Sequence, residues 1–179
     1  MEKNVGRFTV KTIIDNDPLD PRKDYDNCGT MVCFHKRYNL GDKHEYDPCL
    51  YFSQKALEKA ILKKENVGVI LPIYMYEHSG ITIKTTPFNC PWDSGLVGYI
   101  FISKEKIRKE FSCKLITKKV LEKVTDCLIS EVKIYDAYLR GENYMWVVLD
   151  GENEIQTCGG YIDENICFED GVSAAEYSY

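Results

Sequence analysis

The chain has 179 residues, of which 44% are hydrophobic and 28% are charged, and its formal net charge is −5. This length allows the fold to bury about two thirds of the surface that the unfolded chain exposes, so a core can form without disulfides or metal ions. No apolar run reaches the roughly 18 to 20 residues of a membrane-spanning helix, which excludes a membrane segment. We therefore predict one globular domain over residues 1–179.

The cysteines are predicted to be thiols. No apolar signal segment follows Met1, so we expect a cytoplasmic protein, and its eight cysteines are then reduced. There is no Cys-x-x-Cys pair; Cys28 and Cys33 come closest, with a spacing that is poor for structural zinc. We expect no cofactor.

Charge is distributed unevenly along the chain. Residues 104–123 contain eight Lys or Arg against three Glu. Residues 142–179 contain nine Asp or Glu and no Lys or Arg, so this segment carries −9 and the rest of the chain carries +4. Extended fields of one sign steer association with surfaces of the opposite sign, so the asymmetry suggests charged partners.

The first predicted strand, over residues 7–14, alternates polar and apolar side chains. An acidic loop over residues 15–27 follows it, with two prolines and five aspartates, namely Asp15, Asp17, Asp20, Asp24 and Asp26. Carboxylates so spaced suit a hard cation, but a calcium-binding loop needs glycine where this chain has Asp20. The loop is therefore either a cation site or a solvated connector built from Asx turns.

The next elements are predicted from their periodicity and caps. Residues 30–38 predict a strand, on which His35 is either a hydrogen-bonded structural residue or a catalytic one. Ser53 caps a helix that runs to about residue 65. Residues 67–76 form the most hydrophobic run and predict a central strand, in which Pro72 requires an unpaired or bulged position. A hairpin turn at residues 77–80 and a returning strand follow.

The loop over residues 85–95 is the first place where function is expected. Its two prolines restrict the backbone, so the loop is predicted to be rigid, and it presents Cys90, Trp92, Asp93 and Ser94. Residues 96–102 then predict a buried strand.

The remaining elements complete an α+β fold. Ser103 caps a short basic helix to about residue 111, and Thr117 opens an amphipathic helix that Gly141 ends after Arg140. A hairpin turns at Asp150 and Gly151, between strands at 144–149 and 154–161. Residues 163–179 are predicted to be a mobile acidic tail. We predict a largely antiparallel sheet with about three helices.

Four stretches carry a resemblance to a known family: DNCGTMVCFHKRYNLGD at residues 26–42, ILPIYMYEHSG at 70–80, CPWDSG at 90–95 and SKEKIRKE at 103–110. The match covers about residues 13–150. In these stretches the chain resembles a family of small proteins carried by phages and mobile elements of Gram-positive and related bacteria. The family has no established activity or catalytic residues. The chain departs from the family at Cys28, where leucine is usual, and in its acidic C-terminal end.

By association with such elements, the resemblance implies an anti-defence protein that resides in the host cytosol. We expect a stoichiometric inhibitor, similar to an anti-CRISPR, that binds a host defence nuclease or its ribonucleoprotein complex. Aromatic rings supply affinity in such contacts and carboxylates steer association. The expected contact residues are those of the 85–95 loop and the acidic hairpin with its tail: Trp92, Asp93, Tyr144, Glu152, Glu154, Asp163, Glu164, Glu169 and Asp170.

Two alternatives remain open. A thiol beside an imidazole and a carboxylate is the arrangement of an activated nucleophile, so His35, His78, Cys90 and Asp93 are candidate catalytic residues of an enzyme, with the aspartate loop as its metal site. Alternatively, the basic segment at 104–123 binds nucleic acid directly, with Tyr99 and Phe101 as stacking partners.

Overall fold

The computed structural model describes residues 1–177 and has an α+β fold with two antiparallel sheets. Its strands are β1 (Glu2–Val5), β2 (Phe8–Ile14), β3 (Thr30–Cys33), β4 (Val67–Glu77), β5 (Ile81–Lys84), β6 (Ser94–Ser103), β7 (Tyr144–Asp150) and β8 (Asn153–Tyr161). Its helices are α1 (Gln54–Lys64), α2 (Lys104–Glu110), α3 (Lys118–Arg140) and α4 (Glu164–Glu176), with a short 3-10 turn at Pro48–Leu50. The predicted α+β class with antiparallel pairing is confirmed, with four helices in place of about three.

The chain forms two compact units. One comprises Met1–Asp20 with the described part of Ala137–Tyr179, and the other comprises Pro21–Asp136. The single domain predicted over residues 1–179 stays a prediction. In the described part of the chain, none of the helices is long and apolar enough to cross a membrane.

In the first unit, helix α4 packs on a sheet with the strand order β1-β2-β7-β8. The core includes Val10, Trp146 and Cys167, all of them buried. The helix approaches the sheet closely because Gly171 has no side chain: a Cβ there would lie 2.8 Å from Trp146 Cβ and 2.9 Å from Trp146 Cγ. Glycine at this position therefore sets the separation between α4 and the sheet.

The mobile acidic tail predicted from residue 163 onwards is wrong for the described residues. The Asp163 side chain caps α4 by accepting from the backbone N–H groups of Asn165 and Ile166, at 2.9 and 3.2 Å. Cys167, Gly171 and Ala175 recur every four residues and form the buried face of the helix. Their small side chains produce little hydrophobic signal among the acidic residues, which is why the sequence pattern did not reveal this helix. Ser178 and Tyr179 lie outside the described residues.

In the second unit, the sheet has the strand order β3-β6-β4-β5, and its core includes Val32, Leu57 and Ile61. Pro72 pairs with Tyr99 of β6, but β5 does not extend far enough to pair with it on the other side. Because that side of β4 is unpaired at Pro72, the missing backbone N–H removes no hydrogen bond to β5. Tyr99 and Phe101 are each only 4% exposed. The prediction that these two rings stack on nucleic acid is therefore wrong, because they belong to the core.

Arg22 holds the end of the aspartate-rich loop in the second unit. Its side chain is 2% exposed and donates to both carboxylate oxygens of Asp42, at 2.9 and 2.6 Å. It also donates to Glu131 at 2.9 Å and to the Gly29 carbonyl at 2.8 Å. Burial alone would lower the pKa of Arg22, but the hydrogen bonds and charges of Asp42 and Glu131 raise it. The guanidinium thus stays charged and links this loop to the start of β3 and to α3.

Candidate functional site

A cavity of about 600 Å³ lies at one end of the sheet in the second unit. Three segments line it: the turn after β3, the β4–β5 hairpin turn and the loop that leads into β6. Its polar lining consists of His35, Arg37, Glu77, His78, Ser79, Asp93 and Ser94, and the Trp92 ring also borders it. Three of the four residues predicted as catalytic, His35, His78 and Asp93, therefore lie on one cavity.

His35 is placed by a turn and not by a strand. Strand β3 ends at Cys33, earlier than the predicted residue 38. The backbone N–H groups of Arg37 and Tyr38 both donate to His35 Nδ1, at 3.3 Å, so the neutral imidazole carries its proton on Nε2. That Nε2 atom lies 4.0 Å from Glu77 Oε2, and the ring stacks on Tyr38 with centroids 5.0 Å apart.

Glu77 is the polar centre of the cavity wall. It accepts from Arg37 Nη2 at 2.5 Å and from the Tyr38 hydroxyl at 2.9 Å. The hydrogen bond to Glu77 raises the pKa of Tyr38, so this hydroxyl remains a donor. The sequence prediction did not include Arg37 or Glu77 among the site residues. Both lie inside the motifs that carry the resemblance, which was the one signal that pointed to them.

Trp92 lies on the loop predicted to be rigid and is 92% exposed. Two hydrogen bonds hold the C-terminal part of this loop. The Ser94 hydroxyl donates to the Cys90 carbonyl at 2.5 Å, and the Glu77 backbone N–H donates to the Asp93 carbonyl at 2.9 Å. These bonds close a short turn around the indole, so the ring is presented to solvent from an anchored backbone.

The proposed nucleophile lacks its base. Cys90 Sγ lies 3.7 Å from Asp93 Oδ2, and the same oxygen lies 3.7 Å from His78 Nδ1. Among residues 1–177, no hydrogen bond joins Cys90 to a histidine. An activated cysteine needs an imidazole or another cation beside it. The predicted arrangement of thiol, imidazole and carboxylate is therefore incomplete at Cys90 among the described residues.

The five aspartates of the loop do not form the predicted cation site. Asp15 Oδ1 accepts from the Asp17 backbone N–H at 3.0 Å, which is an Asx turn. In the part of the chain that the structure describes, the groups of possible metal ligands include none with Asp15, Asp17, Asp20, Asp24 or Asp26.

The other predicted contact residues lie in the first unit. Tyr144 packs against the core beneath α4. Asp163 caps α4, Glu164 pairs with the N-terminal amino group at 3.0 Å, and Asp170 accepts from the Tyr161 hydroxyl at 2.8 Å. The remaining three carboxylates are exposed and make no hydrogen bond or ion pair with the described residues: Glu152, Glu154 and Glu169. These three are the ones available to a partner.

A different set of residues could hold a metal ion. Cys28, Cys127 and Glu131 are half-buried in the second unit, and their ligand atoms all lie within 4.8 Å of one another. Burial raises the pKa of Cys28 to about 12 and also raises that of Cys127, so both thiols are protonated in the metal-free protein. The sequence prediction missed this set because Cys28 and Cys127 are far apart along the chain.

Three comparisons with known proteins were made. The chain matches no protein-family model, no curated protein and no solved structure.

Proposed function

We propose that this protein is a stoichiometric inhibitor that binds a host complex targeting foreign nucleic acid, with Trp92 as the central contact. The observation that carries the proposal is the exposure of Trp92 on an anchored loop. Tryptophan is among the residues that dominate binding energy at protein interfaces. Because the loop is already ordered, little conformational entropy is lost when the ring is buried by a partner.

The surroundings of Trp92 suit recognition. The side chains of His78 and Asp93 are 68% and 43% exposed and lie next to each other beside the cavity. Polar groups around a large apolar anchor supply the hydrogen bonds of an interface rim and select among partners. The cavity has room for a side chain of the partner to enter beside the ring.

The class of target rests on charge and on the resemblance to mobile-element proteins. The exposed carboxylates of Glu152, Glu154 and Glu169 belong to a segment with no Lys or Arg. A complex that handles nucleic acid presents cationic surfaces, and acidic groups associate with such surfaces in a salt-dependent way. These carboxylates therefore form a second contact surface, which we assign to the same partner.

The test is affinity capture from host lysate with three forms of the protein, followed by mass spectrometry and nucleic-acid detection. The wild type should retain a nuclease or guide-RNA complex at about one copy of the target per copy of this protein. Trp92→Ala should lose it, and the matched control Phe52→Ala should keep it, because Phe52 is equally exposed, at 97%, but does not line the cavity. If Trp92→Ala still retained the complex, Trp92 would not be the central contact.

The acidic surface is tested by charge reversal. Glu152→Lys with Glu154→Lys should weaken capture, and the weakening should shrink as salt is raised, because exposed charges more than a Debye length apart are screened. An unchanged affinity at low salt would show that these carboxylates are not in the contact.

An enzyme is the alternative that the cavity itself favours, because it brings His35, His78 and Asp93 together. The two functions differ in dose. An inhibitor acts at about one copy per target, whereas an enzyme acts at a small fraction of that amount. Activity at substoichiometric dose that disappears in His78→Ala would replace the proposed function with the enzymatic one.

A further inference from the structure

Cys28 meets Cys127 and Glu131, which are about a hundred residues further along the chain, in the second unit. Cys127 and Glu131 are four residues apart on α3, so both side chains project from the same face of the helix. Cys28 comes from the loop before β3, and its backbone N–H donates to Glu131 Oε1 at 2.7 Å. Among residues 1–177, this is the one group of three or more His, Cys, Asp or Glu whose ligand atoms lie this close together.

We propose that Cys28, Cys127 and Glu131 form a binding site for a borderline-soft divalent cation, with Zn²⁺ as the expected occupant. Two thiolates select Zn²⁺ over Ca²⁺ and Mg²⁺, which require oxygen ligands. A carboxylate is a common third zinc ligand. The fourth position is open to water.

The distances fit a tetrahedral ion. Zn–S bonds of about 2.3 Å and Zn–O bonds of about 2.1 Å place sulfur and oxygen ligands about 3.6 Å apart. Cys127 Sγ and Glu131 Oε1 are 3.9 Å apart, and all the ligand atoms lie within 4.8 Å of one another. The three ligand atoms are therefore close enough to one another to share one ion.

The surroundings orient the carboxylate and balance its charge. Glu131 accepts from the Arg22 guanidinium and from the backbone N–H groups of Cys28 and Gly29. Hydrogen bonds of this kind fix metal ligands in place. Two thiolates, Glu131 and the Asp42 carboxylate that shares Arg22 carry −4, and a divalent ion, the Arg22 cation and the Lys106 ammonium, which donates to the Asn27 carbonyl at 2.7 Å, carry +4. The site thus needs no further counter-ion.

The test uses the reduced, metal-free, full-length protein titrated with Co²⁺, a spectroscopic substitute for Zn²⁺. The expected result is one equivalent bound, with a thiolate-to-cobalt charge-transfer band that Zn²⁺ removes. Cys28→Ser and Cys127→Ser should each abolish the band, and the exposed-cysteine controls Cys49→Ser and Cys158→Ser should keep it. Glu131→Gln should weaken Co²⁺ binding by at least about tenfold, the loss that follows removal of an outer-shell partner alone.

A second measurement on the wild type does not depend on the variants being folded. Zn²⁺ should slow alkylation of Cys28 and Cys127, read by mass spectrometry, and leave Cys49 and Cys158 unaffected. Absence of the charge-transfer band in the wild type would overturn the proposal. So would a band that survives in a folded Cys28→Ser or Cys127→Ser variant, or equal protection of all four cysteines.

Discussion

Replacing Arg22 with methionine tests whether the charged network in the second unit stabilises the fold. Methionine keeps much of the side-chain volume and removes the guanidinium. The change deletes at least five hydrogen bonds, two to Asp42 and one each to Glu131, Asn27 and the Gly29 carbonyl. It also leaves two carboxylates without their cation in a largely buried place.

The expected loss of stability follows from the two carboxylates that are left without a cation. Removing one partner of a buried ion pair costs about 3–5 kcal/mol, because the other charge remains desolvated. Glu131 is 11% exposed and Asp42 is 23% exposed, so water reaches Asp42 more easily. We therefore expect Arg22→Met to lower the free energy of unfolding by about 3–4 kcal/mol.

The assay is urea denaturation of the wild type, Arg22→Met and a surface control. The control is Arg7→Met, whose side chain is 71% exposed and pairs with Asp150 at 3.2 Å, so a loss below about 1 kcal/mol is expected. Arg22→Met combined with Glu131→Gln should be less destabilised than the sum of the two single changes, because the double variant removes part of the stranded charge. A loss for Arg22→Met as small as that of the control would refute the reasoning.

Three further predictions concern single positions. Gly171→Ala should lower the free energy of unfolding by about 1–3 kcal/mol, because the added methyl group overpacks against Trp146. Helix propensity alone predicts that alanine would raise the stability, so a higher urea midpoint would contradict the close contact. Ser53→Ala should cost about 1 kcal/mol in the same assay, since its hydroxyl caps α1, and no change would show that the cap is not needed. Burial raises the pKa of Cys167 from 9.0 to about 11, so the protonated thiol stabilises the folded state below about pH 9 and this contribution is lost as pH rises towards 11. The alkaline loss of stability should be shallower in Cys167→Ala, and identical pH profiles would contradict the shift.

Much of the local structure could be predicted because its determinants are close together in sequence. Ser53 and Ser103 cap helices where the sequence places them, with side chains that accept from Ala56 and Lys106. The amphipathic period of α3 was also predicted and is confirmed; the predicted C-terminal hairpin is present, but its turn lies one residue later, at Gly151 and Glu152, because Asp150 pairs with Asn153. Strand β1 was not predicted, because Glu2–Val5 is mostly polar and becomes a strand by pairing with β2.

The candidate site was predicted in part. The 85–95 loop, with its prolines and Trp92, was visible as a rigid polar loop between two strands, and the sequence brought attention to His35, His78 and Asp93. Glu77 could not be singled out, because its role depends on the turn after β3 folding back to place Arg37 and Tyr38 against it. Such contacts cross about forty residues of chain and leave no periodic signal.

The amino-acid sequence by itself determined the α+β class, most element boundaries and the charge asymmetry, since propensity, capping and periodicity act over a few residues. Tertiary structure decided that the strands form two sheets, that Tyr99 and Phe101 are core residues, and that the acidic C-terminal segment is a helix packed through Gly171. It also decided that Arg22 is buried and that Cys28 meets Cys127 and Glu131. The reason is that these features depend on which distant segments pack together to bury apolar surface and satisfy buried polar groups.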